Sequence, residues 1–534
     1  MNLFQTLLQL LGGLAIFIFG VELLSEGLEK AAGNHLLTFL EKAAGNRIKG
    51  MFFGTFAVSL LQSSSMLMVT MIGLINAHML TLQQAIGVML GSEIGTTITG
   101  QIVAFNLKSV DLIFLVIGFF LLFFTKNKKW HTIGQPLFGI GLVFMGMKMM
   151  SSAGSVFSQL PAFRLLCENL SRNAILGVAV GAVLTALIQS SSAMTGLVIA
   201  MGSSGSISLV AAISLILGAN VGTCFTGWLA SLKCSLNAKR ASYAQILINI
   251  GGVLLFLPFI HPFADLISRS SPLLPRQIAN AHTVFNVAVS LILLPFVKPI
   301  TQFVKSIAPG SGEEKEKKVT KYIDDSLIAT PFLAVSMAKQ EVLRMGEFTH
   351  QMLKDAEKSF LLGKTKHSAA VLEKEPDVDQ ITHLVNRFME NIPGEKLNQE
   401  ERATLERLKH LVTDIERVGD HAVNLAEFAL RMEKKDIKFT KYAHKELEKL
   451  FATVAENYQH SLEAILKNDR SLLDQVIASE DEVDGMEKRF KKNHVKRLRE
   501  GLCQPEADPI YVETLRNLER ISDHSYNIAL SLIY

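Results

Sequence analysis

Gln62-Ser63-Ser64-Ser65 and Gln189-Ser190-Ser191-Ser192 set the same four polar residues inside apolar stretches, 127 positions apart. Apolar surroundings penalise each hydroxyl or amide left without a partner. In a single copy, helix packing and interhelical hydrogen bonds would account for such a cluster. Two copies in register point instead to a shared site.

The duplication extends well beyond the quartets. A shift of 127 aligns residues 12–105 with 139–232 without a gap. Coincident residues include Gly12/Gly139, Phe17/Phe144, Ser25/Ser152, Asn46/Asn173, Gly54/Gly181, Gly95/Gly222 and Thr96/Thr223. Each unit reads as a helix, an amphipathic segment (Leu28–Gly45 in the first copy), a Gln-Ser-Ser-Ser segment and a Gly-Thr segment. Apolar runs suited to cross a bilayer, which takes about 20 residues, fall near 3–24, 110–125, 133–152, 241–262 and 280–300. The stretches 50–75, 81–105, 177–202 and 207–232 are rich in Gly, Ser and Thr. They read as broken or re-entrant helices lining a cavity.

Charge divides the chain. Residues 1–310 hold 18 Lys and Arg against 8 Asp and Glu, and the rest hold 35 against 41. The expected class is all-α. A membrane domain spans 1–304, with repeats at 12–105 and 139–232 and two further spans over 241–300. A polar linker covers 305–320 and a soluble helical domain covers 321–534. The acidic tail argues against nucleic acid. The four cysteines form no zinc or disulfide pattern. The apolar start lacks the basic residues of a cleaved signal, so it reads as a retained first helix. Lys126, Lys128 and Lys129 mark one loop as cytoplasmic, and Lys233, Lys239 and Arg240 mark another. Both units then cross an even number of times, and the extra span at 110–125 inverts them. The tail follows on the cytoplasmic side.

Around the quartets, Gly91-Ser92-Glu93-Ile94-Gly95-Thr96-Thr97 matches Gly218-Ala219-Asn220-Val221-Gly222-Thr223-Cys224. Hydroxyl and amide oxygens can ligate sodium, and their protons can bind an oxyanion. Helix N-termini at the breaks add partial positive charge. Glu93 stands where the second copy has Asn220, and an ionisable group at membrane depth is a functional candidate. Lys148 reads as snorkelling or facing the bundle interior. No P-loop, nucleophile elbow or HExxH motif is present, and no His/Asp set flanks the serines, so the chain does not read as an enzyme.

The tail is also duplicated. Glu375-Pro376-Asp377-Val378-Asp379 matches Glu480-Asp481-Glu482-Val483-Asp484, and Glu416-Arg417-Val418-Gly419-Asp420 matches Glu519-Arg520-Ile521-Ser522-Asp523. This gives two similar three-helix bundles with paired acids at i and i+4. Such pairs on neighbouring helices suit a divalent metal of unspecified identity. A salt-bridged surface using Arg417 and Arg520 is the alternative.

Residues 1–300 resemble the type II sodium/phosphate cotransporter family, through the repeated Gln-Ser-Ser-Ser and Gly-Ala-Asn-Val-Gly-Thr. The tail resembles PhoU-type domains. The whole is similar to bacterial family members with a C-terminal PhoU-like domain. The resemblance implies sodium-dependent transport of inorganic phosphate by alternating access. Its site would be Gln62, Ser63, Ser64, Ser65, Glu93, Thr96, Thr97, Gln189, Ser190, Ser191, Ser192, Asn220 and Thr223. It also implies a tail metal cluster on Glu375, Asp379, Glu416, Asp420, Glu480, Asp484, Glu519 and Asp523. The expected partners are phosphate, sodium, the lipid bilayer and a phosphate-regulatory protein docking on the tail. The expected location is the bacterial inner membrane with the tail cytoplasmic. Glu93 departs from the family's usual Asn and leaves the ion stoichiometry open, as are direction and oligomeric state. The competing reading is a membrane-anchored phosphate-signalling module with a degenerate transport core.

Overall fold

The computed structural model describes all residues except 1, 33–45, 77–78, 106–109, 126, 232–234, 311–318, 468 and 532–534, and its elements are all helices. The chain divides into two units, Met1–Lys315 and Glu316–Tyr534.

In the first unit α1 (Leu3–Ala32) precedes α2 (Arg47–Leu61), α3 (Ser64–Asn76), α4 (Leu82–Gly95), α5 (Thr97–Val103) and α6 (Val110–Phe123). Then come α7 (Lys128–Phe157), α8 (Pro161–Arg172), α9 (Ala174–Ile188), α10 (Ser191–Ser203) and α11 (Leu209–Ser231). The unit ends with α12 (Leu236–Phe256), α13 (Ile260–Ser268), α14 (Leu274–Leu293) and α15 (Val297–Ile307). Among the described residues, five helical stretches are long and apolar enough to cross a membrane: Leu3–Glu29, Trp130–Phe157, Leu209–Leu229, Leu236–Ser268 and Leu274–Ile307.

The first helices of the two repeats, α1 and α7, pack along a glycine seam. Gly13 lies against Gly146, Gly20 against Gly139, and Gly27 against Pro136. Numbers rise along one helix as they fall along the other, so the pair is antiparallel. Equivalent helices running antiparallel through one seam make the repeats inverted. Lipid tails give no hydrophobic drive for helix association, so close backbone packing supplies it.

Within each repeat the arms are parallel and equally close. A Cβ on Gly91 of α4 would lie 1.8 Å from the Met51 carbonyl oxygen of α2. The same contact recurs 127 residues on, where a Cβ on Gly218 of α11 would lie 2.2 Å from the Val178 oxygen of α9.

The breaks form two hairpins entering from opposite faces. At one face Arg47, at the start of α2, donates to the Pro295 carbonyl beyond α14 (3.3 Å). The end of α3 lies at the same face, where Ser235, before α12, donates to Asn76 (3.0 Å). The root of the tail is there too, with Arg240 donating to the carbonyls of Ala308 (3.1 Å) and Gly310 (2.6 Å). At the other face Ser171 and Ser208 share a hydrogen bond of 2.6 Å between the ends of α8 and α11. Here α10 ends, and Ser206 bonds the Gly154 carbonyl near the end of α7 (2.9 Å). The α6–α7 and α11–α12 connections therefore fall at the tail-root face.

Two expectations change. The pattern over 207–232 predicts a break, but α11 runs unbroken over Leu209–Ser231; in its counterpart α4 and α5 meet at Thr96, which keeps right-handed helical geometry and bonds the Ser92 carbonyl at 3.0 Å. The stretch 110–125 gives only the 14-residue α6, about 21 Å long, packed antiparallel on α7 with Gly118 against Phe138. The amphipathic segment after Leu28 continues α1 to Ala32 and otherwise lies outside the described residues, as does half of the linker. In the second copy the equivalent α8 bends 114° from α9.

The tail contains α16 (Pro331–Leu362), α17 (Lys366–Glu390) and α18 (Gln399–Lys434), then α19 (Lys441–Lys467), α20 (Arg470–Arg499) and α21 (Ala507–Leu530). These make the two three-helix bundles that the duplicated acids imply. Thr349 and Tyr458 share a buried 2.7 Å hydrogen bond between the bundles, and within the second Tyr511 and Arg497 donate to Glu446 at 2.6 and 2.7 Å.

Candidate functional site

Each hairpin turns on its glutamine. Gln62 (φ 53°) and Gln189 (φ 60°) adopt the left-handed conformation that side chains other than glycine rarely take. Among the described residues only Asp436 joins them in this. Such backbone strain persists where surrounding structure enforces it, and it clusters at functional sites. The serine after each glutamine restarts the chain as a helix cap: Ser63 accepts from the Met66 N–H (3.2 Å) and Ser190 from the Ala193 N–H (3.1 Å). Both restarting helices, α3 and α10, thus direct their N-termini toward the middle of the unit, from opposite faces.

Local sequence positions the side chains. Gln62 is buried; its amide donates to the Ser59 carbonyl at 2.6 Å and its oxygen accepts from Thr99 of α5. Ser25 of α1 donates to the Leu61 carbonyl at the same tip. One residue along α5, a Cβ on Gly100 would meet Thr195 of α10 at 3.3 Å and the His282 ring at 3.6 Å. Thr195 lies one helical turn from Ser191, so α5 touches the first tip and the helix that starts the second. Gln189 is exposed, and Ser64, Ser191 and Ser192 are half-buried, while Ser65 is exposed.

The Gly-Thr segments build a second layer. Glu93 is buried and accepts from the Asn249 amide at 2.9 Å, with Gln245 adding a further hydrogen bond. At the equivalent place Asn220 donates to Asn286 at 3.0 Å, and Asn286 donates to the His282 carbonyl at 3.0 Å. Thr96, Thr97 and Thr223 donate to carbonyls of their own helices, those of Glu93 (2.8 Å), Ile94 (2.7 Å) and Ala219 (2.9 Å), and keep oxygen lone pairs.

Gln245, Asn249, His282 and Asn286 escape a reading centred on the quartets. Their signal is a second duplication, with an offset of 37: Asn249/Asn286, Leu257-Pro258-Phe259/Leu294-Pro295-Phe296 and Pro262/Pro299. The helices it relates, α12 and α14, each present one asparagine to one repeat.

The tail acids do not form the expected metal centre. No group of three or more His, Cys, Asp or Glu side chains that could hold a metal ion occurs among the described residues. The acids instead take cations from their own helices: Arg417 lies 3.4 Å from Asp420, Arg520 lies 3.7 Å from Asp523, and Lys488 lies 3.0 Å from Asp484. Two acidic patches result. Burial and repulsion from Asp379 and Asp420 push the Glu375 and Glu416 carboxyls above the usual range, and Glu480 and Glu519 are raised likewise beside Asp484 and Asp523. His421 hydrogen-bonds Asn517 (2.8 Å) and His524 bonds Asp414 (2.9 Å).

Comparison with known proteins gives two family matches. The Na+/Pi-cotransporter family model matches residues 16–152 and 158–264, and the PhoU domain model matches 342–429 and 447–532. The chain is 23% identical over 530 residues to the "Putative inorganic phosphate export protein YjbB" of Salmonella typhimurium, covering 99% of this chain and 97% of that one. It is 28% identical over 206 residues to a Thermotoga maritima PhoU homolog, covering 38% of this chain and 86% of the relative. The crystal structure of PhoU from Pseudomonas aeruginosa aligns at 23% identity over 38% of this chain and 96% of that one, with a TM-score of 0.35.

Proposed function

The membrane unit belongs to the Na+/Pi-cotransporter family and the tail carries PhoU domains; from that premise we propose that this protein moves inorganic phosphate across a membrane with sodium as the coupling ion. One observation carries the reading: two helix N-termini, at Ser64 and Ser191, aim at the middle of the unit from opposite faces, each behind a strained glutamine. Unpaired N–H groups and the helix dipole favour an anion at such a place. Hydroxyl oxygens of Ser63 to Ser65 and Ser190 to Ser192, with Thr96, Thr97, Thr223 and Asn220, can replace the water of a sodium ion. Gln62 and Gln189 fix the tips. Sodium offsets the phosphate charge and makes its burial tolerable.

Glu93, held by Asn249, places one acid in a site otherwise built from neutral oxygens, and so bears on how many sodium ions accompany each phosphate. Alternating access follows from motion of the inverted repeats about this centre. The proposed location is the bacterial inner membrane, with the tail cytoplasmic, where it reads phosphate status or docks a regulatory protein. The name of the full-length relatives supports outward movement. Under an inward sodium gradient, symport runs outward only when the phosphate gradient outweighs the sodium gradient.

The test is phosphate flux in proteoliposomes with and without sodium. Sodium-stimulated flux that falls at least tenfold in a Ser64→Ala/Ser191→Ala double variant is expected. Flux indifferent to sodium and to both substitutions overturns the reading.

A further inference from the structure

A cavity of about 310 Å³ opens at the face opposite the tail root, where α5 and α10 end and α14 begins. Asp111, Lys148, Ser151 and Ser203 line it. Lys148 contacts Asp111 Oδ2 at 2.5 Å, and the Asp111 side chain is only 4% exposed while that of Lys148 is 59% exposed. The other carboxylate oxygen, Oδ1, is buried with no hydrogen-bond partner among the described residues. The backbone N–H groups of Leu112 and of Asp111 itself lie near the carboxylate without forming a regular bond to that oxygen.

A buried carboxylate oxygen without a donor is costly, and what it lacks is a proton donor. Most of the remaining wall is apolar, with Phe105, Phe144, Met147 and Leu273 among it, and the few polar groups set into it offer donors. Lys148 has ammonium protons beyond the one given to Asp111, and Ser151 adds a hydroxyl. Ser203 spends its proton on the Ile199 carbonyl (3.0 Å) and keeps its lone pairs. At the rim the Arg276 guanidinium stacks 4.2 Å over the Phe105 ring and adds positive charge. A ligand that satisfies this set must be anionic, small and tetrahedral, and must carry a hydroxyl of its own.

We propose that this cavity is a second oxyanion site, selective for protonated tetrahedral anions, phosphate or arsenate, over sulfate. Phosphate oxygens accept from Lys148 and Ser151, and the phosphate hydroxyl donates to Asp111 Oδ1. Sulfate has no proton to give at neutral pH and meets the bare carboxylate. A site built to bond a hydroxyl rejects the analogue that lacks one, because its buried partner stays unpaired. The site is one-sided. Lys148 corresponds to Val21 in the first repeat, and Asp111 lies on α6, outside the repeat. A pseudo-symmetric core therefore carries a filter at only one mouth. Its role as a station on the transport path rests on the proposed function; its ligand does not.

The test is calorimetric titration of the full-length protein with inorganic phosphate and with sulfate, in the Ser64→Ala/Ser191→Ala background that disables the central serines. Phosphate binding with sulfate at least tenfold weaker is expected. Adding Asp111→Asn should weaken phosphate about tenfold or more and erase the preference. Ser151→Ala, which leaves the ion pair intact, should weaken phosphate severalfold, so the proposal stays testable if Asp111→Asn misfolds. Equal sulfate binding, or a preference that survives both substitutions, overturns it. Absent flux with an intact Asp111-dependent preference sinks the transporter reading alone; normal flux with no phosphate binding in the double-serine background sinks this site alone.

Discussion

Gly91→Ala probes the arm packing that holds the first hairpin. Its new Cβ would lie 1.8 Å from the Met51 carbonyl oxygen and 2.8 Å from the Thr55 nitrogen, both backbone atoms that cannot swing aside. Real Cβ atoms keep at least 3.0 Å, so α2 and α4 must part by about 1.2 Å. Overpacking of this kind costs about 1–3 kcal/mol, and the upper end applies because backbone must move. In a unit this large that corresponds to a fall in melting temperature of about 6–10 °C. The displacement also carries Gln62 away from Thr99, so phosphate flux should fall by about two orders of magnitude, the usual cost of ångström-scale misplacement. Gly218→Ala, with its contact at 2.2 Å, should behave alike but more mildly, because the two sites are related by the repeat. Gly251→Ala, where a Cβ meets nothing within 4 Å, is the control and should leave both readings unchanged. Thermal unfolding followed by size-exclusion, with flux on the same preparations, measures all three. Wild-type stability and flux in Gly91→Ala would refute the packing account.

Asn249→Ala removes the amide that Glu93 accepts from and should cost about 1–3 kcal/mol; Asn286→Ala, whose partner is a neutral asparagine, should cost less, and the reverse order in thermal unfolding would count against Glu93 as the more demanding member. In the tail, burial, helped by Lys354, holds His350 down at about 4, against about 6.5 for a free imidazole. The unfolded chain therefore takes up the proton first, so the stability this neutral ring supports is full above pH 6.5 and drains as pH falls toward 4. His350→Gln should flatten that slope in urea titrations at pH 7 and pH 5. Glu416→Gln should raise the tail's melting temperature at pH 7 by about 1–3 °C, since burial and then Asp420 and Asp379 raise its carboxyl. The penalty exists only while the group is charged, so the gain should vanish once pH drops below the unfolded carboxylate range, near 4.

Much of this architecture is legible in residue order. The quartets mark the hairpin tips because a helix restarting mid-membrane needs a cap, and serine supplies one. The glycines at 91 and 218 announce close arms. The left-handed glutamines were not legible, because the conformation is rare outside glycine and local sequence does not demand it. Asn249 and Asn286 sit singly in apolar spans, where one amide looks tolerable until both are seen facing matching positions of two repeats. The unbroken α11 defeats composition: three glycines and two threonines in Leu209–Ser231 suggest a break, yet the helix runs through them, because tertiary packing overrides local propensity. Spacing brings the tail acids into pairs but does not decide between a metal and the neighbouring Arg417 and Arg520; those arginines take Asp420 and Asp523, and Lys488, unweighed in the sequence, takes Asp484.

The two repeats share a sequence frame but hold different surroundings. The first encloses Gln62 and carries the buried acid Glu93; the second leaves Gln189 exposed and carries Asn220. In an inverted pair, exchanging the two sets of surroundings produces a conformer related by the pseudo-two-fold axis, whose opening points to the opposite side. On the proposed transport reading, the two surroundings mark the two ends of the cycle: covering Gln189 while uncovering Gln62 would reverse the opening. Cross-links that hold Gln62 against Thr99 should therefore trap the protein on one side of its cycle while leaving its seam of glycines untouched.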